Sequence, residues 1–362
     1  MFRTGTIVRP VAYPAIDGLR IYAALAVFIE HVAGGAAVDY FKIPGAALTY
    51  QSDSLWMKAL AYLLDGNHGV DVFFIISGFL MARIVLSTRT PFSYGSFLLH
   101  RFTRIYPAFL IALILVAAGD VFLFGWPWKP MDFAKNLIFL NAIPSLGVTP
   151  YNNVTWSLGF EFAFYLVVPV LTLGAAVIDK RVAAIIMLAA AFWWMPDTYV
   201  RMLGMFAGAV IGSMDDALLR RIARMLPLSL VIVAYLACGI LKVFWFKTYL
   251  GYYYTFLAVA SIAFVKVVWD DRSIIARALS ARPVRFLGTL SYSIYLYHPI
   301  IFSIVLYKMT PWPASPAGFV WYAVATTLTT LVVAYLSYML VERPYFTKKP
   351  PAKASAEITV PA

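Results

Sequence analysis

Residues 16–35 read I-D-G-L-R-I-Y-A-A-L-A-V-F-I-E-H-V-A-G-G. A helix needs about 20 mostly apolar residues to cross a bilayer, and this run supplies them in a segment placed over 18–38. Three of its residues are out of place in hydrocarbon: Arg20, Glu30 and His31. The length of the run decides the fold class, and its polar residues decide where function is to be sought. The run is too long for the apolar core of a signal peptide and carries charge, so it is read as part of the mature chain.

Working outward, nine further apolar segments follow, over 69–88, 104–124, 156–178, 182–196, 198–214, 225–245, 249–269, 286–308 and 317–341. The fifth and sixth of the ten are short and joined by Met195-Pro196-Asp197, which suits a re-entrant pair. No internal repeat is visible. Of the 362 residues, 62% are AVILMFWYC and 13% are charged, and the mean hydropathy is +0.80. Soluble domains are about 45–50% apolar and about 25% charged. The composition therefore excludes a water-soluble globular enzyme and, equally, a disordered chain. The single cysteine, Cys238, excludes a disulfide framework or a cysteine metal cluster, and no metal is expected. The fold expected is all-α and polytopic, with about ten transmembrane helices. Residues 1–346 form the transmembrane domain, and the Pro- and Ala-rich stretch 347–362 forms a disordered tail with no appended soluble domain.

The net charge is +12. The basic residues lie in separate loops and not on one face, so a nucleic-acid binder is rejected. Counted over alternate loops, one side holds 19 of the 29 Lys and Arg and the other 8, with Arg20 and Lys266 inside helices. The positive-inside rule then makes both termini cytoplasmic.

Ionisable residues inside membrane segments are candidates for function, because burying them unpaired costs several kcal/mol. Arg20 and His31 are eleven residues apart, close to three turns, so they share a face with Ala24 and Val27 and lie about 16 Å apart along the axis. Glu30 points about 100° away. In the fourth segment, W-S-L-G-F-E, Glu161 lies about 7 Å past Trp156. In the ninth, F-L-G-T-L-S-Y-S-I-Y-L-Y-H-P, His298 lies about 18 Å past Phe286 and shares its face with Ser291 and Tyr295. Pro299 is expected to kink that helix. His31 and His298 thus reach a similar depth independently. Each also has a bland reading, as a packing histidine or a carboxylate partnering an Arg or His on another helix. Arg101 and Arg104 stand one turn apart at the start of the third segment, able to grip phosphates or merely to flank a membrane helix. In the second segment, Ser77-Gly78 is read as a helix-packing position and His68 as an outer-loop residue.

Together these pieces resemble acyltransferase family 3 of integral membrane proteins. The matching blocks are I-D-G-L-R…H (Asp17 to His31), G-V-D-V-F-F-I-I-S-G-F-L (Gly69 to Leu80) and R-x-x-R-I-Y-P (Arg101 to Pro107). W-S-L…E…F-Y-L…P (Trp156 to Pro169), L-G…S-Y-S-I-Y-L-Y-H (Leu287 to His298) and E-R-P (Glu342 to Pro344) follow in the family's order. The resemblance implies transfer of an acyl group, often acetyl, from cytoplasmic acyl-CoA to sugars of bacterial surface glycans. It implies a catalytic role for His31, with Arg20 as its motif partner, and an acyl-CoA site at Arg101 and Arg104. Glu161 and His298 fall on motif positions as further catalytic candidates. Glu30 departs from the usual apolar residue. Some relatives add an extracellular hydrolase-like domain, and this chain is expected to be a stand-alone form. The expected partners are acetyl-CoA as donor, a glycan or lipid-linked oligosaccharide as acceptor, and membrane lipid, in the bacterial inner membrane. A proton-coupled secondary transporter is the rival from another class, and a scaffold subunit of glycan machinery a second.

Overall fold

The computed structural model describes residues 13–45, 52–86, 92–244, 249–311 and 313–344. The tail expected over 347–362 lies outside the described residues, as do Arg3, Arg9, Arg89 and Lys247 of the charge count. Among the described residues every regular element is helical. In chain order they are α1 Pro14–Gly35, α2 Leu55–Leu64, α3 His68–Leu86, α4 Tyr94–Ala118, α5 Pro130–Leu137, α6 Trp156–Val167, α7 Val170–Val177 and α8 Lys180–Trp194. Next come α9 Leu203–Ser213, α10 Asp216–Met225, α11 Leu228–Phe244, α12 Tyr249–Trp269, α13 Ile274–Leu279, α14 Arg282–Ile304 and α15 Pro316–Ser337. Local chemistry marks their starts. Proline opens α1, α5 and α15, where its missing N–H costs nothing. Ser93, Asp179 and Ser315 accept a hydrogen bond from a first-turn amide of α4, α8 and α15.

Among the described residues seven helices are long and apolar enough to cross a membrane, or up to eight if one bent pair is a single span. The ten expected segments all fall on helical elements, but three fall short of this standard. Helix α8 has 15 residues, about 22 Å at the α-helical rise, against a hydrocarbon core of about 30 Å. The segment expected over 198–214 passes only together with α10, across a 108° bend. Helix α11 has 17 residues. The fourth segment is a single span, Trp156–Val177, of two helices with Pro169 at the junction. The second begins earlier than expected, at Leu55, with Asp65-Gly66-Asn67 between its two helices. Helix α14 runs through Pro299 without a break.

Helices α1, α3 and α14 form the centre. Helix α1 packs on both α3 and α14, α3 on α9, and α14 on α15 and α4. The most apolar stretch of the α14 span is 67% buried and that of the α15 span 17%, so α15 belongs to the periphery. Two close approaches fix the centre. A Cβ on Gly78 would lie 1.8 Å from the Met205 carbonyl and one on Gly208 2.1 Å from that of Ile75, so the α3 and α9 backbones touch. Likewise a Cβ on Gly288 of α14 would lie 2.2 Å from the Asp17 carbonyl of α1. There Asp17 also faces Arg285 at 3.6 Å.

Candidate active site

One cavity of about 320 Å³ opens where α1, α3, α4, α6, α14 and the end of α15 meet. Its charged lining is Arg20, Arg101, Arg104, Glu161 and Glu342. Each cation is delivered by a helix end on the same side of the bundle: Arg20 lies six residues into α1, and Arg101 and Arg104 seven and ten residues into α4. Arg20 makes no hydrogen bond or close ion pair among the described residues. It lies within electrostatic reach of Arg104, Asp17, Glu342 and Glu161. The two carboxylates are held by hydroxyls. Ser77 donates to Glu161 Oε1 at 2.7 Å and Tyr165 donates to the same oxygen. Ser293 donates to Glu342 Oε1 at 2.6 Å. The cavity thus presents guanidinium groups whose strongest natural complement is phosphate or carboxylate.

The two histidines meet beside this cavity. His31 Nδ1 and His298 Nε2 are 2.7 Å apart. The rings are 16° from coplanar with centres 5.0 Å apart. That separation equals the N···N distance plus one ring radius on each side, so the shared hydrogen bond is straight. His298 is 0% exposed, packed against Phe28 at 5.9 Å and Tyr295 at 6.2 Å. His31 is only half-buried. Neither histidine lines the cavity. Tyr295 belongs to both places: it lines the cavity, contacts the His298 ring, and its hydroxyl donates to the Val154 carbonyl at 2.8 Å. Phe73, also in the lining, meets Tyr295 edge to face.

A second polar cluster surrounds the far end of α1. Arg201 pairs with Asp71 at 2.8 Å, both nearly buried, and stands over Trp156 at 5.1 Å. Lys242 pairs with Asp65 at 2.6 Å. Asn67 donates to Glu30, so Glu30 turns toward this cluster. No hydrogen bond joins Glu30 or Glu161 to either histidine among the described residues. Nor do three His, Cys, Asp or Glu side chains gather there as metal ligands would.

Two expectations are corrected here. His68 is the first residue of α3, not a loop residue, and shares a 2.9 Å hydrogen bond with Tyr22. Ser77, read as a packing residue, lines the cavity and holds Glu161, although its neighbour Gly78 does pack helices. Glu342, Tyr165 and Thr289 were not singled out as site residues. The E-R-P block offered a signal for Glu342, which as the last residue of a membrane span otherwise reads as a flank.

Comparison with known proteins gives a family. The model of an acyltransferase domain matches residues 13–339. Similar curated proteins include the peptidoglycan O-acetyltransferase OatA of Listeria monocytogenes, 25% identical over 91% of this chain and 55% of its own length. The O-acetyltransferase OatA of Staphylococcus aureus is 23% identical over 92% of this chain and 57% of its own. The acyltransferase MdmB of Streptomyces mycarofaciens is 32% identical over 44% of this chain and 39% of its own. The chain therefore spans little more than half the length of the O-acetyltransferases it matches. No solved structure matches it. With a match over nearly the whole chain and an all-helical membrane architecture, the chain belongs to acyltransferase family 3.

Proposed function

We propose that this chain is a multi-pass O-acyltransferase of the bacterial inner membrane. It moves an acyl group, acetyl in the first instance, from acyl-CoA at the cytoplasmic face to a sugar hydroxyl of an extracytoplasmic glycan. The observation that carries the reading is the juxtaposition of a guanidinium-lined cavity with a histidine pair, Tyr295 touching both. The 19-to-8 loop charge bias supports placing the Arg20 end in the cytoplasm. Arg20, Arg101 and Arg104 would hold the donor's phosphates by charge-assisted hydrogen bonds. The two carboxylates limit the cavity's positive charge. The axial distance of about 16 Å from Arg20 to His31 suits an extended pantetheine arm reaching past Tyr295.

In the chemical step His31 takes the proton of a sugar hydroxyl while that oxygen attacks the thioester carbonyl carbon. The C–S bond breaks, the ester forms, and the thiolate receives the proton from His31 as CoA leaves. Direct attack needs one base and no stored intermediate; an acyl-histidine accumulating with donor alone would replace it with a two-step route. Two of the relatives are named O-acetyltransferases, one of peptidoglycan, which makes peptidoglycan fragments the first acceptors to offer, ahead of exopolysaccharide and O-antigen sugars.

The test is release of free thiol from acetyl-CoA by the purified protein in nanodiscs, with glycan acceptors supplied and acylated product read by mass spectrometry. Wild-type protein is expected to form ester and His31→Ala to form none. Solute uptake into proteoliposomes without thioester cleavage would instead favour a proton-coupled carrier.

A further inference from the structure

Resting on His31 as the base, we infer that His298 is not a second base but the positioning residue that fixes the tautomer of His31. The inference follows from where protons can be. His298 Nδ1 lies 3.1 Å from the Ile294 carbonyl, and a carbonyl only accepts, so Nδ1 carries the proton. Pro299 reinforces this. Having no N–H, it leaves the Tyr295 carbonyl one turn back without its helical donor, and that carbonyl also interacts with the His298 ring. With Nδ1 protonated, neutral His298 has its lone pair on Nε2. That nitrogen faces His31 Nδ1 at 2.7 Å, so His31 Nδ1 is the donor. The lone pair of His31 is then on Nε2, the nitrogen facing away from His298.

The chain of donors therefore runs in one direction, from His31 to His298 to the α14 backbone. It does for His31 what a buried carboxylate does for the histidine of a serine hydrolase, holding ring orientation and tautomer, without placing a negative charge in the membrane. Exposure separates the roles: His298 is completely buried and cannot meet an acceptor sugar, whereas His31 keeps part of its surface open. The H-P dipeptide thus has a chemical reason: lacking an N–H, the proline leaves the Tyr295 carbonyl free to add to the Ile294 carbonyl that already accepts from His298 Nδ1.

The experiment uses the full chain labelled with 15N-histidine. It has four histidines, so the His31 signals are assigned by their loss in His31→Ala. With both rings neutral, wild-type His31 is expected to be protonated on Nδ1, and in His298→Ala that preference is expected to disappear. Wild-type His31 protonated on Nε2 overturns the inference whatever the activity. In turnover, His298→Ala is expected to lower kcat roughly 10²–10⁴-fold with little change in the KM for acetyl-CoA. His298→Gln, whose side-chain carbonyl can accept from Nδ1–H, is expected to recover part of the loss. Unchanged kcat in His298→Ala also overturns the inference. Wild-type protein that never cleaves acetyl-CoA counts against the proposed function instead, and the tautomer still decides the role of His298.

Discussion

The two polar regions of this bundle are built on opposite rules. At the far end of α1 both cations are neutralised at contact distance, Arg201 on Asp71 and Lys242 on Asp65, while Glu30 accepts a hydrogen bond from Asn67. In the cavity at the other end, Arg20 has no direct protein partner among the described residues, and the carboxylates are satisfied by hydroxyls. Buried charges left without a direct counter-charge are expensive, so a chain that keeps them has a use for them. The paired cluster fixes where helices sit, and the cavity leaves Arg20 without a close counter-charge among the described residues.

Four variants probe that contrast. The largest effect is expected for Asp71→Ala, which strands the nearly buried Arg201. Removing one partner of a buried pair costs about 3–5 kcal/mol, so thermal unfolding in detergent should show a clear loss of stability. His31→Ala comes next, with acylation lowered roughly 10²–10⁴-fold and the unfolding midpoint within a few degrees of wild type. A matching fall in stability would place His31 with the paired cluster. Third, Arg101→Ala with Arg104→Ala should raise the KM for acetyl-CoA roughly 10–100-fold, the equivalent of about 1.5–3 kcal/mol in all for lost charged hydrogen bonding, and leave acceptor affinity alone. An unchanged KM would return both arginines to the role of membrane flanks. Smallest is Lys180→Ala. Its pair with Asp215 is exposed, and water and salt screen such pairs almost completely, so neither stability nor turnover should move measurably.

Axial position was legible in the sequence, and lateral position was not. Counting residues along two helices put His31 and His298 at one depth, and in the structure their nitrogens are 2.7 Å apart. The same count said nothing about which helix faces which. Glu161 therefore had an Arg or His as its imagined partner, whereas Ser77 and Tyr165 hold it. The four-residue spacing of Gly204, Gly208 and Gly212 is plain in the sequence, yet that α3 is its partner follows only from tertiary packing. Composition was the weakest guide to span number, because a short apolar helix such as α8 carries the same composition as a full crossing without its length.

The backbone contact between α3 and α9 has a mechanical consequence. With carbonyls already against the glycines, α3 cannot slide or tilt on α9 without collision, and α1 is similarly seated on α14 at Gly288. The wall carrying Arg20, Phe73 and Ser77 is therefore a fixed frame. Widening the cavity falls to the opposite wall, formed by Arg101 and Arg104 of α4 and by Tyr338 and Glu342 at the end of the peripheral α15 span. A bulky donor that needs more room than the cavity of about 320 Å³ must therefore gain it at α4 and the end of the α15 span, not at the glycine-locked wall.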